Sequence, residues 1–171
     1  MKRILPCLAA LALGIFTPPA FAQSALDPIG DLIQESLQDP ATTAEDLTPD
    51  WALQASLYHG GAPGVGGRDS LGCPTVAMRT AAIDRKLVPR RTLLFIKETV
   101  GLPMPDGSTH DGYWYASDVG GAIKGSRIDL FTGSGRSSMA PLMKLNMKTL
   151  TVARAGAFEG CPQAGLRIAA R

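Results

Sequence analysis

The chain has 171 residues and a formal net charge of +2, a length that suits one domain with a hydrophobic core. Its basic residues are scattered, without the basic runs or aromatic pattern of a nucleic-acid-binding protein, so we exclude nucleic acid as a partner. The charge is nevertheless divided, because residues 23–50 carry seven acidic side chains and no basic one. The rest of the chain is basic, which favours an anionic polymer as partner; folding of the acidic segment over the basic body is the alternative.

Residues 1–22 predict a secretory signal. Lys2 and Arg3 form a charged start, residues 4–16 are an apolar run, and residues 20–22 read Ala-Phe-Ala, a small-x-small cleavage site. The apolar run is too short to span a bilayer of about 30 Å. We therefore expect an exported chain, periplasmic or extracellular, without stable membrane insertion after the signal is removed.

Two cysteines, Cys73 and Cys161, remain outside the predicted signal. In an exported chain the simplest arrangement is a disulfide between them. The chain-entropy model gives such a long loop a contribution on the order of 4 kcal/mol. Two free buried thiols are the alternative.

Residues 23–67 predict an acidic helical arm followed by a Gly-rich linker. Asp27 and Pro28 are typical of a helix start, and the apolar residues that follow at helical spacing are Ile29, Leu32, Ile33 and Leu37. A second short helix is predicted from Pro49, with Trp51, Leu53 and Leu57 as its apolar members. Residues 60–67 contain five glycines and indicate a turn-rich entry to the folded body.

Residues 68–171 are predicted to form the folded body, which is mainly β. Short apolar runs separated by Gly, Pro and Asp turns predict strands at residues 75–83, 92–97, 112–117, 127–131, 149–153 and 166–170. At most one short helix is expected, near residues 138–145. Six short strands in about 100 residues are typical of a small barrel or sandwich.

Two aspartates stand out in the body because each belongs to a predicted strand or its end. Strand alternation places Asp118 on one face with Trp114 and Ala116, and Asp129 opposite the apolar Ile128 and Leu130. Glycines surround both acids and would let a bulky substrate approach. The single charge between them, Lys124, either closes an ion pair in the loop or donates to a substrate.

A family resemblance rests on these residues. The segment 118–135, DVGGAIKGSRIDLFTGSG, resembles the signature of the 3D domain, which is named for three aspartates and occurs in lytic transglycosylases and small secreted muralytic proteins. The upstream segment 80–96, TAAIDRKLVPRRTLLFI, is similar to the first segment of that family. The resemblance makes Asp84, Asp118 and Asp129 the three aspartates and implies a six-stranded double-psi β-barrel.

The resemblance also implies a function: a peptidoglycan lytic transglycosylase that cleaves between N-acetylmuramic acid and N-acetylglucosamine and leaves 1,6-anhydro ends. Asp129 and Asp118 are then the predicted catalytic pair, with Asp129 as the acid/base and Asp118 tuning it or binding the sugar. The remaining residues implied to contact substrate are Lys124, Gly120, Gly121, Asp84 (in a more structural role) and, as a weaker candidate, Thr80.

The sequence departs from the family pattern at two turns, where Arg90-Arg91 replaces Leu-Gly and Asn146-Met147-Lys148 replaces Gly-Arg. The larger family members carry a second domain, so a barrel that binds glycan without cleaving it is the alternative function. An aspartic peptidase is disfavoured, because Asp118 is not followed by Thr or Ser and Gly.

The chain has two histidines, His59 and His110, and neither lies at a Cys/His spacing typical of a metal site. We therefore predict no metal and no cofactor. His110, beside a Gly turn, is expected to be a polar loop residue. Trp114 is expected to be core and not a sugar-stacking platform.

Overall fold

The computed structural model describes residues 48–164. This part of the chain forms six strands and two 3₁₀ helices. The strands are β1 Trp51–Gly60, β2 Thr80–Ile83, β3 Thr92–Ile96, β4 Tyr113–Asp118, β5 Arg127–Ser134 and β6 Thr149–Ala157. The 3₁₀ helices are Lys97–Thr99 and Arg136–Leu145. Along these residues no helix is long and apolar enough to cross a membrane.

The six strands close into a barrel in the order β1-β5-β2-β4-β3-β6. β1 with β5 and β2 with β4 are parallel pairs, and the other neighbours are antiparallel. The predicted mainly-β fold with a six-stranded barrel is confirmed, and the five predicted strands between residues 75 and 153 correspond to β2 to β6. The sixth observed strand is β1, which precedes the predicted body at 68–171. The double-psi connection stays a prediction. The signal at 1–22, the arm up to residue 47 and the strand at 166–170 lie outside the described residues.

The barrel begins earlier in the chain than expected, at strand β1. The helix predicted from Pro49 is wrong, because residues 51–60 form β1 within the segment 23–67 assigned to arm and linker. Leu53 and Ala55 are fully buried and Leu57 packs against them, a period of two that belongs to a strand. Pairing with β5 and β6, which follow much later in the chain, selects this conformation.

The barrel interior is apolar and includes one fully buried tryptophan. Trp114 has no exposed surface, which confirms it as core, and its indole N–H donates to Thr99 Oγ1 at 3.1 Å. The ring of His110 stacks on the indole with centroids 4.9 Å apart. Its Nε2–H donates to the Met78 carbonyl at 2.7 Å and its Nδ1 accepts the Gly112 N–H at 2.8 Å. His110 lies in the loop before β4, as expected, but its side chain is buried against the core.

The long loop between β1 and β2 is held by a disulfide. Cys73 and Cys161 are bonded, with Cα atoms 5.4 Å apart, which confirms the predicted pairing and ties this loop to the segment after β6. Beside it, Asp69 Oδ1 accepts the backbone N–H groups of Leu71 and Cys73 at 3.0 and 2.9 Å. These bonds fix a tight turn in the loop.

A bulge in β4 changes the side to which Asp118 points. Ala81 pairs with Ala116, but the next residue, Ala82, pairs with Asp118. Ser117 and Asp118 thus lie opposite one residue, and an extra residue reverses the alternation of side chains beyond it. The prediction that Asp118 shares a face with Ala116 is wrong: Ala116 is in the interior cluster, while Asp118 lies on the outer side.

Candidate active site

A cleft of about 240 Å³ opens on the outer side of β5, β2 and β4. Its floor is a row of three residues in register, Asp129 on β5, Ala82 on β2 and Asp118 on β4. The methyl group of Ala82 leaves the space between the two carboxyl groups open. The other lining residues are Tyr58, Gly64, Val65, Gly66, Arg68, Thr75, Val119 and Gly120. The two predicted catalytic aspartates therefore meet in one cleft.

Asp129 is the acid whose surroundings favour a bound proton. It is half-buried, and its Oδ1 is a buried atom that has no hydrogen-bond partner among residues 48–164. Burial raises the pKa of Asp129, the Ser56 hydroxyl and the charge of Arg127 lower it, and the charge of Asp118 raises it, with a net rise. The Ser56 hydroxyl makes only a long contact of 3.5 Å to the Ile128 carbonyl, so it is free to turn toward Asp129. A raised pKa is what a carboxylic acid needs to donate a proton near neutral pH.

Asp118 is held in place by three donors. Its Oδ1 accepts the backbone N–H groups of Ser70 at 3.0 Å and Val119 at 2.8 Å. Its Oδ2 accepts the hydroxyl of Tyr58 at 3.0 Å. Ser70 also donates its own hydroxyl to the Ser117 carbonyl at 2.9 Å. Both oxygens of Asp118 thus act as acceptors, and the loop carrying Ser70 is fastened to the end of β4.

Sequence reasoning missed Tyr58 and the contribution of the Gly-rich segment. Tyr58 lies on β1, which was predicted as a helix, and Gly64 belongs to the predicted linker, yet both line the cleft. The signal that could have found Tyr58 is the period of two in Gln54, Ser56 and Tyr58, which alternate with buried apolar residues. The loop residues carry no comparable signal, because only the folded chain brings them over β5.

Asp84 and Lys124 lie together away from the cleft floor. Asp84 accepts the backbone N–H of Lys86 at 3.0 Å and that of Gly125 at 2.8 Å. The bond from Lys86 lowers the pKa of Asp84 most, followed by the bond from Gly125, and the charge of Lys124 lowers it further. Asp84 thus connects the turn after β2 to the turn before β5. Neither residue is among those that line the cleft, and the positive charge that lowers the pKa of Asp129 is Arg127.

Three further residues were predicted to contact substrate: one lines the cleft, one is exposed and one is buried. Gly120 lines the cleft, and a Cβ there would lie 2.7 Å from Cγ1 of Ile123, so a side chain cannot be added without a shift. Gly121 is exposed and open. Thr80 is fully buried, and its hydroxyl oxygen accepts the Val76 N–H at 2.9 Å. Thr80 therefore supports the turn before β2 and offers no surface to a substrate.

Comparison with protein families identifies the central part of this chain. Residues 79–141 match the model of the 3D domain, which confirms the resemblance drawn from the sequence. The match includes all three aspartates and strands β2 to β5, but neither β1 nor β6. A comparison with curated proteins gives no match.

Solved structures similar to this chain include several lytic transglycosylases. MltA of E. coli with bound chitohexaose is 25% identical with a TM-score of 0.38, over 59% of this chain and 30% of that one. LtgG of Burkholderia pseudomallei is 26% identical with a TM-score of 0.37, over 53% and 28%. A membrane-bound lytic murein transglycosylase from Agrobacterium tumefaciens is 29% identical with a TM-score of 0.35, over 50% and 24%. This chain spans less than a third of the length of these structures.

Proposed function

We propose that this protein is an exported peptidoglycan lytic transglycosylase whose acid/base is Asp129. The observation that carries the proposal is the cleft itself, where a half-buried aspartate with a raised pKa lies in register with a second, hydrogen-bonded aspartate. Both acids belong to the segment that matches the 3D domain, and the resemblance of that segment implies this activity.

The chemistry needs one carboxyl group in two successive roles. The protonated Asp129 donates its proton to the glycosidic oxygen between N-acetylmuramic acid and N-acetylglucosamine, and the bond from that oxygen to the muramoyl C1 breaks. The resulting carboxylate then takes the proton of the muramoyl 6-hydroxyl, whose oxygen bonds to C1. The proton is returned to Asp129, no water is consumed, and the product has a 1,6-anhydro end.

Asp118 has a supporting role in this proposal. Its charge raises the pKa of Asp129, and its three hydrogen bonds hold it at the floor of the cleft. Gly120 lines the cleft beside Asp118, where close packing against Ile123 requires a residue without a side chain. Lys124 and Gly121 lie on the loop that follows β4, where they are proposed to contact parts of the glycan beyond the reacting bond.

The proposal is tested by digestion of purified cell-wall sacculi and mass spectrometry of the soluble products. Wild type should release 1,6-anhydro-muropeptides. The Asp129→Asn variant should lower the rate by about a hundredfold or more, since general acid–base catalysis contributes that much. Asp106→Asn is the matched control, because Asp106 lies in an exposed turn, where it bonds to Ser108.

The outcomes separate the two functions that the sequence left open. Anhydro products that persist undiminished in Asp129→Asn would refute the role of Asp129. Wild type that sediments with sacculi but releases no soluble product would instead indicate a glycan-binding barrel, in which case the transglycosylase proposal fails.

A further inference from the structure

Tyr58 occupies a rigid position beside the two acids. It lies on β1 in register with Phe131 of β5, and the two rings pack with centroids 5.1 Å apart. β1 is outside the segment that matches the 3D domain, so nothing in the family assignment gives this tyrosine a role. Strand pairing fixes the backbone at Tyr58, and the contact with Phe131 restrains its ring.

The hydroxyl of Tyr58 reaches across the cleft to the far acid. It donates to Asp118 Oδ2 at 3.0 Å, although the two residues are 60 positions apart in the chain. The two other donors to Asp118, from Ser70 and Val119, are backbone N–H groups that both bind Oδ1. Tyr58 is therefore the side chain in the described structure that controls Oδ2. Hydrogen bonds to a charged acceptor are among the stronger ones in proteins.

The charges around Tyr58 keep its hydroxyl a donor. Burial raises the pKa of Tyr58, and the charges of Asp118, Asp129 and Asp69 raise it further. The phenol therefore keeps its proton across the pH range in which carboxylates titrate. The charged side chains near the cleft are Asp69 and Arg68 from the loop after β1, Arg127 and Asp129 from β5, and Asp118 from β4.

The two acids differ in how their oxygens are occupied. Asp118 accepts three hydrogen bonds, whereas Asp129 has a buried Oδ1 with no partner in the described part of the chain. We propose that Tyr58 is a positioning residue that decides which acid carries the catalytic proton: by donating to Asp118 it keeps that side chain an acceptor and leaves the proton on Asp129. This inference rests on the proposed role of Asp129 as acid/base.

Tyr58→Phe tests the proposal because it removes the hydroxyl and keeps the ring on Phe131. The kcat for sacculus digestion should fall about tenfold or more, as expected for the loss of a hydrogen bond to a charged group, while KM stays within about twofold. The acid limb of the kcat–pH profile should move up by about one pH unit, because Asp118 without this donor takes up a proton more readily. A purely structural tyrosine would leave the limb in place.

Tyr113→Phe is the matched control. Tyr113 is buried in the second apolar cluster on the outside of β3, β4 and β6, away from the cleft lining. It should keep the wild-type pH profile. Thermal unfolding of both variants establishes that each is folded at the assay temperature.

A second measurement does not depend on activity. The carboxyl carbons of ¹³C-labelled aspartates are titrated by NMR in the full chain, and the Asp118 resonance is assigned with an Asp118→Asn variant. Its midpoint should move to higher pH in Tyr58→Phe and stay unchanged in Tyr113→Phe. An unchanged Asp118 midpoint in Tyr58→Phe would overturn the proposal. Absence of anhydro products from wild type, with a shifted midpoint, would instead refute the transglycosylase and leave the proton assignment intact.

Discussion

Acidification from pH 7 to pH 5 is expected to weaken the fold through one buried side chain, His110. This residue is 1% exposed, lies against Trp114, and has both ring nitrogens bonded to backbone groups in its neutral form. Burial lowers its pKa from the ordinary value of 6.5 to about 4. Protonation of Nδ1 would also destroy its role as acceptor for the Gly112 N–H.

The direction in which stability changes with pH depends on whether the folded or the unfolded state binds the proton more readily. Below pH 6.5 the unfolded chain protonates its His110, while the folded protein does not until about pH 4. Stability is therefore lost as the pH falls through this window. The loss is about 2 kcal/mol by pH 5 and about 3 kcal/mol by pH 4, at 1.4 kcal/mol for each unit of difference between the two states.

Other titrating groups with shifted pKa values act differently. Burial raises the pKa of Asp111 and the bonds from Arg79 lower it, with a net lowering. The pKa of Asp84 is also lowered. Their contributions are present above pH 3.8 and lost below it, outside the window used here. Asp129 has a raised pKa, so its protonation stabilises the folded protein as the pH falls. This contribution opposes that of His110, and the substitution Asp129→Asn removes it.

The assay is guanidinium chloride unfolding of the Asp129→Asn protein at pH 7, 6 and 5 and constant ionic strength. The free energy of unfolding should fall by about 2 kcal/mol between pH 7 and pH 5. Adding His110→Gln should flatten the pH dependence of the free energy of unfolding. The control substitution His59→Gln, which changes the other histidine, should leave that dependence unchanged. A drop of less than about 0.5 kcal/mol, or the same drop with His110→Gln, would refute the reasoning.

Two further predictions concern stability. Met147 is 56% exposed and has φ +63°, so Met147→Gly should relieve backbone strain and stabilise the protein by about 0.5–1 kcal/mol after the flexibility of glycine in the unfolded chain is counted. A lower melting temperature than wild type would contradict this. The double variant Cys73→Ser, Cys161→Ser opens a loop with a separation of 88 residues and should cost about 4–5 kcal/mol in chemical unfolding. A loss under about 1 kcal/mol would show that the loop is held by its other contacts.

The local sequence pattern was sufficient to predict strands β2 to β6 but not strand β1. The apolar runs of β2 to β6 are bounded by turn residues, and their periodicity needs no knowledge of the partner strand. In β1, Leu53 and Leu57 are four residues apart and fit a helix or a strand, whereas Trp51 and Leu53 are two apart and fit a strand only. Parallel pairing with β5, more than 60 residues later in the chain, decides between helix and strand.

By itself, the sequence determined the class of fold, the two cysteines that could pair and the resemblance to the 3D domain, because these depend on residue type, local pattern and motif. Only the tertiary structure decided how the site is assembled. The bulge at Ser117 turns Asp118 outward, strand register brings it opposite Ala82 beside Asp129, and β1 supplies Tyr58 from 60 residues away. These contacts depend on register and barrel closure, which join segments whose separation in the chain carries no periodic signal.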